Sequence, residues 1–177
     1  MGQYYMVLME DKNGKRTVYD RTTNGEYTLA KLMEHSWWLN NFVNTMCCKI
    51  FRKPKKVAWV GDYSDGEFEL YDEVWGDNAK RNKVWESQVV LWNKYLVNHT
   101  KKEYLNCNEY YEKSKIEDDW CIHPLPLLTC VGNGGGGGDY HRGTCMDYVG
   151  SWCMDEISVE VKEPKGYTKI DIAFKEN

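Results

Sequence analysis

The residues best suited to do chemistry lie around five consecutive glycines, Gly134 to Gly138. His123 precedes this run, and Asp139 and His141 follow it. A histidine and a carboxylate can exchange a proton near neutral pH, so these three residues are candidate acid and base groups. No nucleophile stands out beside them. Alternatively, His123 only hydrogen-bonds the loop.

The glycine run is also a candidate ligand site, because successive glycine N–H groups can surround an anion. We predict a ligand-binding segment that consists of Gly132, Asn133, Gly134, Gly135, Gly136, Gly137, Gly138, Tyr140 and Arg142. The segment lacks the Lys-Ser or Lys-Thr of a P-loop. It is not a dinucleotide fingerprint either, because two prolines precede it. The alternatives are a flexible surface loop and glycines required for tight backbone packing.

A second candidate surface is acidic. Residues 62–77 contain seven carboxylates and no Lys or Arg. Charge of one sign steers association with a basic partner, and Trp is a frequent interface anchor. We predict a partner-binding surface at Glu67, Glu69, Asp72, Glu73 and Trp75. The alternative is a solvated acidic loop.

Composition narrows the partner classes. The 177 residues include 23 basic and 27 acidic side chains, and this balance disfavours direct nucleic-acid binding. No stretch of about 20 apolar residues predicts a membrane span. The seven cysteines lack zinc-site spacing, so neither a metal nor another cofactor is predicted. The start of the sequence does not resemble a signal peptide, which favours the cytoplasm and reduced cysteines.

The elements that must position these residues follow from hydrophobic patterning. Two β-prone runs flank Asn13-Gly14 and predict an N-terminal hairpin. Thr28 is a predicted N-cap for a helical pattern that extends to Ile50 and breaks at Asn40-Asn41. Further strands are predicted at 56–60, 95–98, 103–106, 157–161 and 167–174, and short helices at 71–75 and 108–114. Strands and helices do not alternate regularly. The predicted fold is therefore α+β: a single domain over 1–177, with a mainly antiparallel sheet, an N-terminal hairpin and one or two packed helices.

Five segments together resemble a family of small proteins from phages and mobile elements of low-GC and gut bacteria. They are NGEYTLAKLMEHSWW, KVAWVGDY, YLVNHTKKEYL, IHPLPLLTCVGNGGGGGDYHRG and VGSWCMDEISVE. The most specific feature is the pattern HPLPLLTxxGNGxGGGDYH. The loop of that family has a basic residue where this chain has Gly135. The resemblance therefore implies that a contact made by that residue in relatives is weakened or relocated here.

The resemblance implies an interaction protein encoded by a phage or mobile element. Such a protein would bind a host protein or a nucleotide-like signalling ligand in the host cytosol and counteract host immunity. One alternative is an enzyme that acts on a nucleotide or phosphoester through the glycine run and the adjacent His and Asp. Another is a structural module without a ligand. The sequence assigns no oligomeric state.

Overall fold

The computed structural model describes residues 1–23, 26–27, 30–84 and 87–175. In these ranges the strands are β1 (Tyr5–Glu10), β2 (Arg16–Tyr19), β3 (Thr22–Thr23), β4 (Glu26–Tyr27), β5 (Lys55–Gly61), β6 (Arg81–Asn82), β7 (Tyr95–Asn98), β8 (Glu103–Asn106), β9 (Cys130–Val131), β10 (Glu156–Glu160) and β11 (Thr168–Lys169). The helices are α1 (Leu32–His35), α2 (Asn41–Lys49), α3 (Tyr71–Trp75), α4 (Cys107–Ser114) and α5 (Pro124–Thr129). Short 3₁₀ turns occur at Glu117–Asp119 and Met146–Tyr148. No helix in the described ranges is long and apolar enough to cross a membrane.

Nine of the described strands form one sheet. Eight of them follow one another in the order β11-β8-β7-β10-β5-β1-β2-β6, and the ninth is β9. β9 lies outside this path and pairs with the end of β5, whereas β10 pairs with its beginning. Most neighbours are antiparallel, and the parallel pairs are β2 with β6, β5 with β9, and β8 with β11. β3 and β4 pair separately. The predicted α+β fold with a mainly antiparallel sheet is confirmed.

The N-terminal hairpin forms where the turn residues predict it. β1 and β2 pair antiparallel on either side of residues 11–15. The Asp11 carboxylate accepts hydrogen bonds from the N–H groups of Asn13 and Lys15. Gly14 has a φ of 77°, a left-handed conformation that glycine adopts without strain.

The long helical pattern breaks at Asn40. The side chain of Asn40 accepts hydrogen bonds from the N–H groups of Phe42 and Val43, and it thereby caps α2. α1 is a separate single turn. The predicted N-cap Thr28 lies outside the described residues.

Both faces of the sheet are covered. The odd-numbered residues of β1 contact the larger core, to which α2 and α5 contribute, and Met6 and Leu8 contact a smaller core. Residues 62–77, which include α3, are called the acidic segment below. Its residues Phe68 and Val74 complete the smaller core. All of β1 is therefore buried. The acidic segment has a packing role on its inner side.

The helix before the glycine run was not predicted. α5 begins at Pro124, and Pro126 lies in its first turn. Proline is tolerated there because the first N–H groups of a helix have no partner within the helix. The two prolines therefore start a helix. The strand predicted over 167–174 is shorter than expected, because ladder pairing ends at Lys169. The inward alternation nevertheless continues to Phe174, which is buried.

Candidate functional site

The glycine loop, residues 132–138, folds around the carboxylate of Asp139. Asp139 is 2% exposed. One carboxylate oxygen accepts hydrogen bonds from the N–H groups of Gly134 at 2.8 Å and Gly136 at 3.0 Å, and the other accepts one from the Tyr5 hydroxyl at 2.8 Å. Hydrogen bonds to a carboxylate are stronger than those between neutral groups. They offset the entropy lost when glycines are ordered.

Asn133 closes the loop against Tyr140. Its side-chain oxygen accepts a hydrogen bond from the Tyr140 N–H at 2.8 Å, and its amide nitrogen donates to the Tyr140 carbonyl at 2.9 Å. The Tyr140 hydroxyl lies 2.9 Å from Ser36 Oγ, in the buried interior. Asn133 and Tyr140, both predicted ligand residues, therefore hold the two ends of the loop together.

The beginning of the chain lies along the outer part of the loop. The Gly137 N–H donates to the Met1 carbonyl, and the Gln3 N–H donates to the Gly137 carbonyl, both at 3.0 Å. The side chain of Gln3 is fully buried against the loop. A Cβ on Gly136 would lie 2.8 Å from the Cβ of Gln3, and one on Gly61 would lie 2.0 Å from its Nε2. The Cβ on Gly136 would also lie 2.9 Å from the Gln3 backbone nitrogen, so this position requires glycine, whereas a side chain at Gly61 would displace the end of the Gln3 side chain.

Tyr63 joins the glycine loop to the acidic segment. A Cβ on Gly135 would lie 3.1 Å from Tyr63 Cβ, and a Cβ on Gly136 would lie 3.1 Å from Tyr63 Cε2. The Tyr63 side chain is nevertheless 41% exposed. The predicted ligand segment and part of the predicted acidic surface are thus neighbours. We define the loop–acid surface as the exposed residues Tyr63, Asp65, Glu67, Glu69, Gly134 and Gly135.

Negative charge dominates the inside of this site. Asp62 is half-buried, and its Oδ1 accepts a hydrogen bond from the Tyr4 N–H at 3.0 Å. Burial raises the pKa of Asp62, and the nearby charge of Asp139 raises it further. Arg142 is exposed. The N–H groups of Gly134 and Gly136, predicted to surround an anionic ligand, already surround the chain's own carboxylate.

The predicted acid–base group does not assemble. His123 is fully buried; its Nδ1 accepts a hydrogen bond from the Leu125 N–H at 3.1 Å, and its Nε2 lies 3.6 Å from Cys47 Sγ. Since Nδ1 is an acceptor, the proton is on Nε2 and points to the sulfur. Burial lowers the pKa of His123 to about 3. Asp139 faces Tyr5, whereas His141 is exposed. In the described part of the chain none of the three hydrogen-bonds another, because His123 caps α5 in the core.

The rest of the predicted acidic surface lies elsewhere. Asp72 and Glu73 line a groove of about 820 Å³, together with Lys15 and Lys80 among others. Glu73 pairs with Arg16 at 2.6 Å.

Trp75 is half-buried against the smaller core, and its indole N–H donates to the Val60 carbonyl at 3.0 Å. It therefore contributes to packing and is not an exposed anchor.

A partly buried series of polar contacts links Ser158 and Glu160 of β10 to His99, which directly follows β7, and to Tyr167; no local pattern predicted it. Ser158 Oγ donates to Glu160 at 2.6 Å and lies 2.8 Å from His99 Nε2, and His99 Nδ1 lies 3.1 Å from the Tyr167 hydroxyl. These are residue types found in hydrolase sites. However, Ser158 is fully buried and its hydroxyl proton is directed to Glu160. These contacts therefore fasten β10 to the turn after β7 and to Tyr167, before β11.

Tyr5, Gln3 and Tyr63 are further parts of the loop site that were not predicted from the sequence. The contact between Tyr5 and Asp139 spans 134 residues, so no local pattern could reveal it.

Among the described residues, no group of three or more His, Cys, Asp or Glu side chains could hold a metal ion. No family model, curated protein or solved structure matches this chain, so the resemblance to phage and mobile-element proteins stays a prediction.

Proposed function

We propose that this is an interaction protein of a phage or mobile element, which binds a basic surface of a host protein in the host cytosol. The observation that carries the proposal is the position of Tyr63, which packs on Gly135 and Gly136 and is still 41% exposed. An exposed tyrosine on a rigid support is a typical interface anchor. The host, the cytosol and an effect on immunity rest on the sequence resemblance.

Charge supports a basic protein partner. Asp65, Glu67 and Glu69 follow the anchor and are exposed, and no salt bridge within the described residues neutralises them. Carboxylates of one sign accelerate encounter with a positively charged surface. Negative charge also disfavours the alternative of a nucleotide or phosphoester ligand. Asp139 occupies the N–H groups of Gly134 and Gly136, and its charge would repel an incoming phosphate.

The order of the loop also favours binding. Asp139 and Asn133 fix the glycine backbone in the free protein. A partner therefore meets a surface that is already ordered, and the complex loses less conformational entropy on forming. Bare glycine backbone further permits close approach by a partner.

Charge reversal tests this proposal. The double variant E67K/E69K inverts charge within the loop–acid surface, and E117K/D147K makes the same change in net charge at two exposed positions outside it. We expect quantitative affinity purification from a bacterial host to recover a protein with the parent and with E117K/D147K but not with E67K/E69K. An identical set of captured proteins for all three forms would overturn the proposal.

A second measurement addresses the anchor. Against the purified partner, Tyr63→Ala should weaken affinity by roughly 30-fold or more, as expected for a hot-spot residue. Expression of the parent, but not of Tyr63→Ala, should then protect an infecting phage in a host that carries the affected defence system. Unchanged affinity for Tyr63→Ala would remove the anchor from the proposed interface.

A further inference from the structure

Residues 1–3 lie against the glycine loop in the manner of an added strand. Gly2 and Gly137 form a parallel β-bridge. The two hydrogen bonds that make it join the Gly137 N–H to the Met1 carbonyl and the Gln3 N–H to the Gly137 carbonyl. Extended peptides bind to sheet edges through such main-chain bonds, while pockets for alternate side chains provide specificity.

The side chain of Gln3 fills a slot with glycine walls. Cβ atoms placed on Gly61, Gly132 or Gly136 would lie within 2.8 Å of Gln3 atoms. Gln3 is fully buried, yet neither its Nε2 nor its Oε1 has a hydrogen-bond partner among the described protein groups. A buried amide without partners costs free energy. The slot therefore matches Gln3 in shape but not in polarity.

We propose that this slot binds an extended strand of the partner protein, and that residues 1–3 occupy it in the free protein and leave when the partner strand arrives. The partner strand carries an unbranched apolar side chain, methionine-like in length, at the position of Gln3. Such a side chain fills the same volume and leaves no unpaired amide. The inference rests on the proposed function, because it specifies part of the partner that would contact the loop–acid surface.

The weak hold of residues 1–3 makes displacement feasible. Met1 is fully exposed, and the segment has two backbone hydrogen bonds to Gly137. A competing strand would form the same two bonds. The difference between the strands therefore lies in the slot, where the unpaired amide counts against Gln3.

Labelled peptides of residues 1–6 test the preference of the slot. One peptide has the native Gln3 and the other carries Q3M. We expect fluorescence anisotropy with the full-length protein to show about tenfold tighter binding of the Q3M peptide. Equal affinities, or no binding of either peptide, would overturn the inference.

Two pairs of full-length variants provide matched controls. A Cβ on Gly136 collides with Gln3, whereas a Cβ on Gly137 has no neighbour nearer than the Met1 carbonyl at 3.5 Å. Peptide binding should therefore be lost in G136A and retained in G137A. In full-length Q3M, the chain's own segment should hold the slot and weaken peptide binding about tenfold, while Q88M, at an exposed glutamine, should match the parent.

The outcomes separate this inference from the proposed function. If E67K/E69K abolishes capture of a host protein but no peptide binds the slot, the inference fails and the proposed function stands. If the peptide binds as expected but captured proteins do not depend on Glu67 and Glu69, the proposed function fails. Should G136A not fold, the comparison of Q3M with Q88M decides. A parent that dimerises by exchange of residues 1–3, detected by light scattering and abolished by G136A, would overturn the partner strand as the occupant.

Discussion

The Tyr5 hydroxyl donates a hydrogen bond to Asp139 over 2.8 Å, and this bond joins the first strand to the glycine loop. Burial raises the pKa of Tyr5 above its usual value, and the bond to Asp139 raises it further. The hydroxyl therefore stays protonated and acts as a donor throughout the physiological pH range. The glycine loop is therefore anchored to β1, in the interior of the fold.

Removing this donor should destabilise the protein without removing packing volume. In Tyr5→Phe, the buried Asp139 carboxylate loses one of its three hydrogen-bond donors. We expect the free energy of unfolding in urea to fall by about 1–3 kcal/mol. Tyr19→Phe is the control, because the Tyr19 hydroxyl has no hydrogen bond within the described residues, and its effect should stay within about 0.5 kcal/mol.

Replacing Asp139 should loosen the loop itself. In Asp139→Asn, the side-chain nitrogen must face either the loop N–H groups or the Tyr5 hydroxyl, so the charge-assisted bonds are lost. Hydrogen exchange at the Gly134 and Gly136 amides should accelerate at least tenfold. His141→Ala, at an exposed position, should leave both exchange and stability unchanged. Slow exchange in Asp139→Asn would show that Asp139 does not order the loop.

The acidic residues should separate into two groups. Glu73 pairs with Arg16, which also pairs with Glu10. Glu73→Lys would place two cations side by side and should lower stability by up to about 1 kcal/mol, less at high salt. E67K/E69K should leave stability unchanged but alter association with a basic partner. If Glu73→Lys and E67K/E69K lower stability equally, the pairing of Glu73 with Arg16 is not the cause.

Six of the seven cysteines should react slowly with thiol reagents in the folded protein, and Cys48 is the exception. All seven are free thiols, and burial raises the pKa of Cys107 and Cys121 to about 12. Only Cys48 and Cys153 are partly exposed, and burial raises the pKa of Cys153 to about 12 as well. A thiol reagent at neutral pH should therefore modify Cys48 first, and C48S should remove the fast phase. Melting temperatures with and without reductant should agree, and a large loss of stability in reductant would reveal a disulfide.

Local patterns predicted most of the fold. Asn13-Gly14 fixed the hairpin turn, Asn40 marked the helix break, and α3, β7 and β8 lie where their residues predicted. α5 was not predicted, because Pro124 and Pro126 are as typical of a turn as of the first turn of a helix. Local signals succeed when the determining contacts lie within a few residues.

The candidate site was harder to predict because its contacts are long-range. The sequence identified Asp139 and the glycines but paired Asp139 with histidines, whereas its actual partners are Tyr5 and the loop N–H groups. Nothing in the spacing shows that Gln3 enters a slot between glycines. A glycine run can accommodate a side chain from any part of the chain. Only the three-dimensional structure therefore identifies that side chain.

Acid should destabilise the protein through His123. Burial lowers the pKa of His123 to about 3 in the folded state, compared with about 6.5 in an unfolded chain. Between these two values the unfolded state binds more protons, so the neutral histidine stabilises the fold above the unfolded pKa and that contribution is lost as pH falls. In this window the free energy of unfolding should fall by roughly 1.4 kcal/mol per pH unit from this residue alone.

His123→Asn removes the titration and keeps an N-cap acceptor for the Leu125 N–H, so its stability should decline less steeply from pH 6.5 towards pH 3. His141→Asn, at an exposed site, should decline like the parent. Parallel curves for the parent and His123→Asn in urea titrations across this pH range would show that His123 does not control acid unfolding.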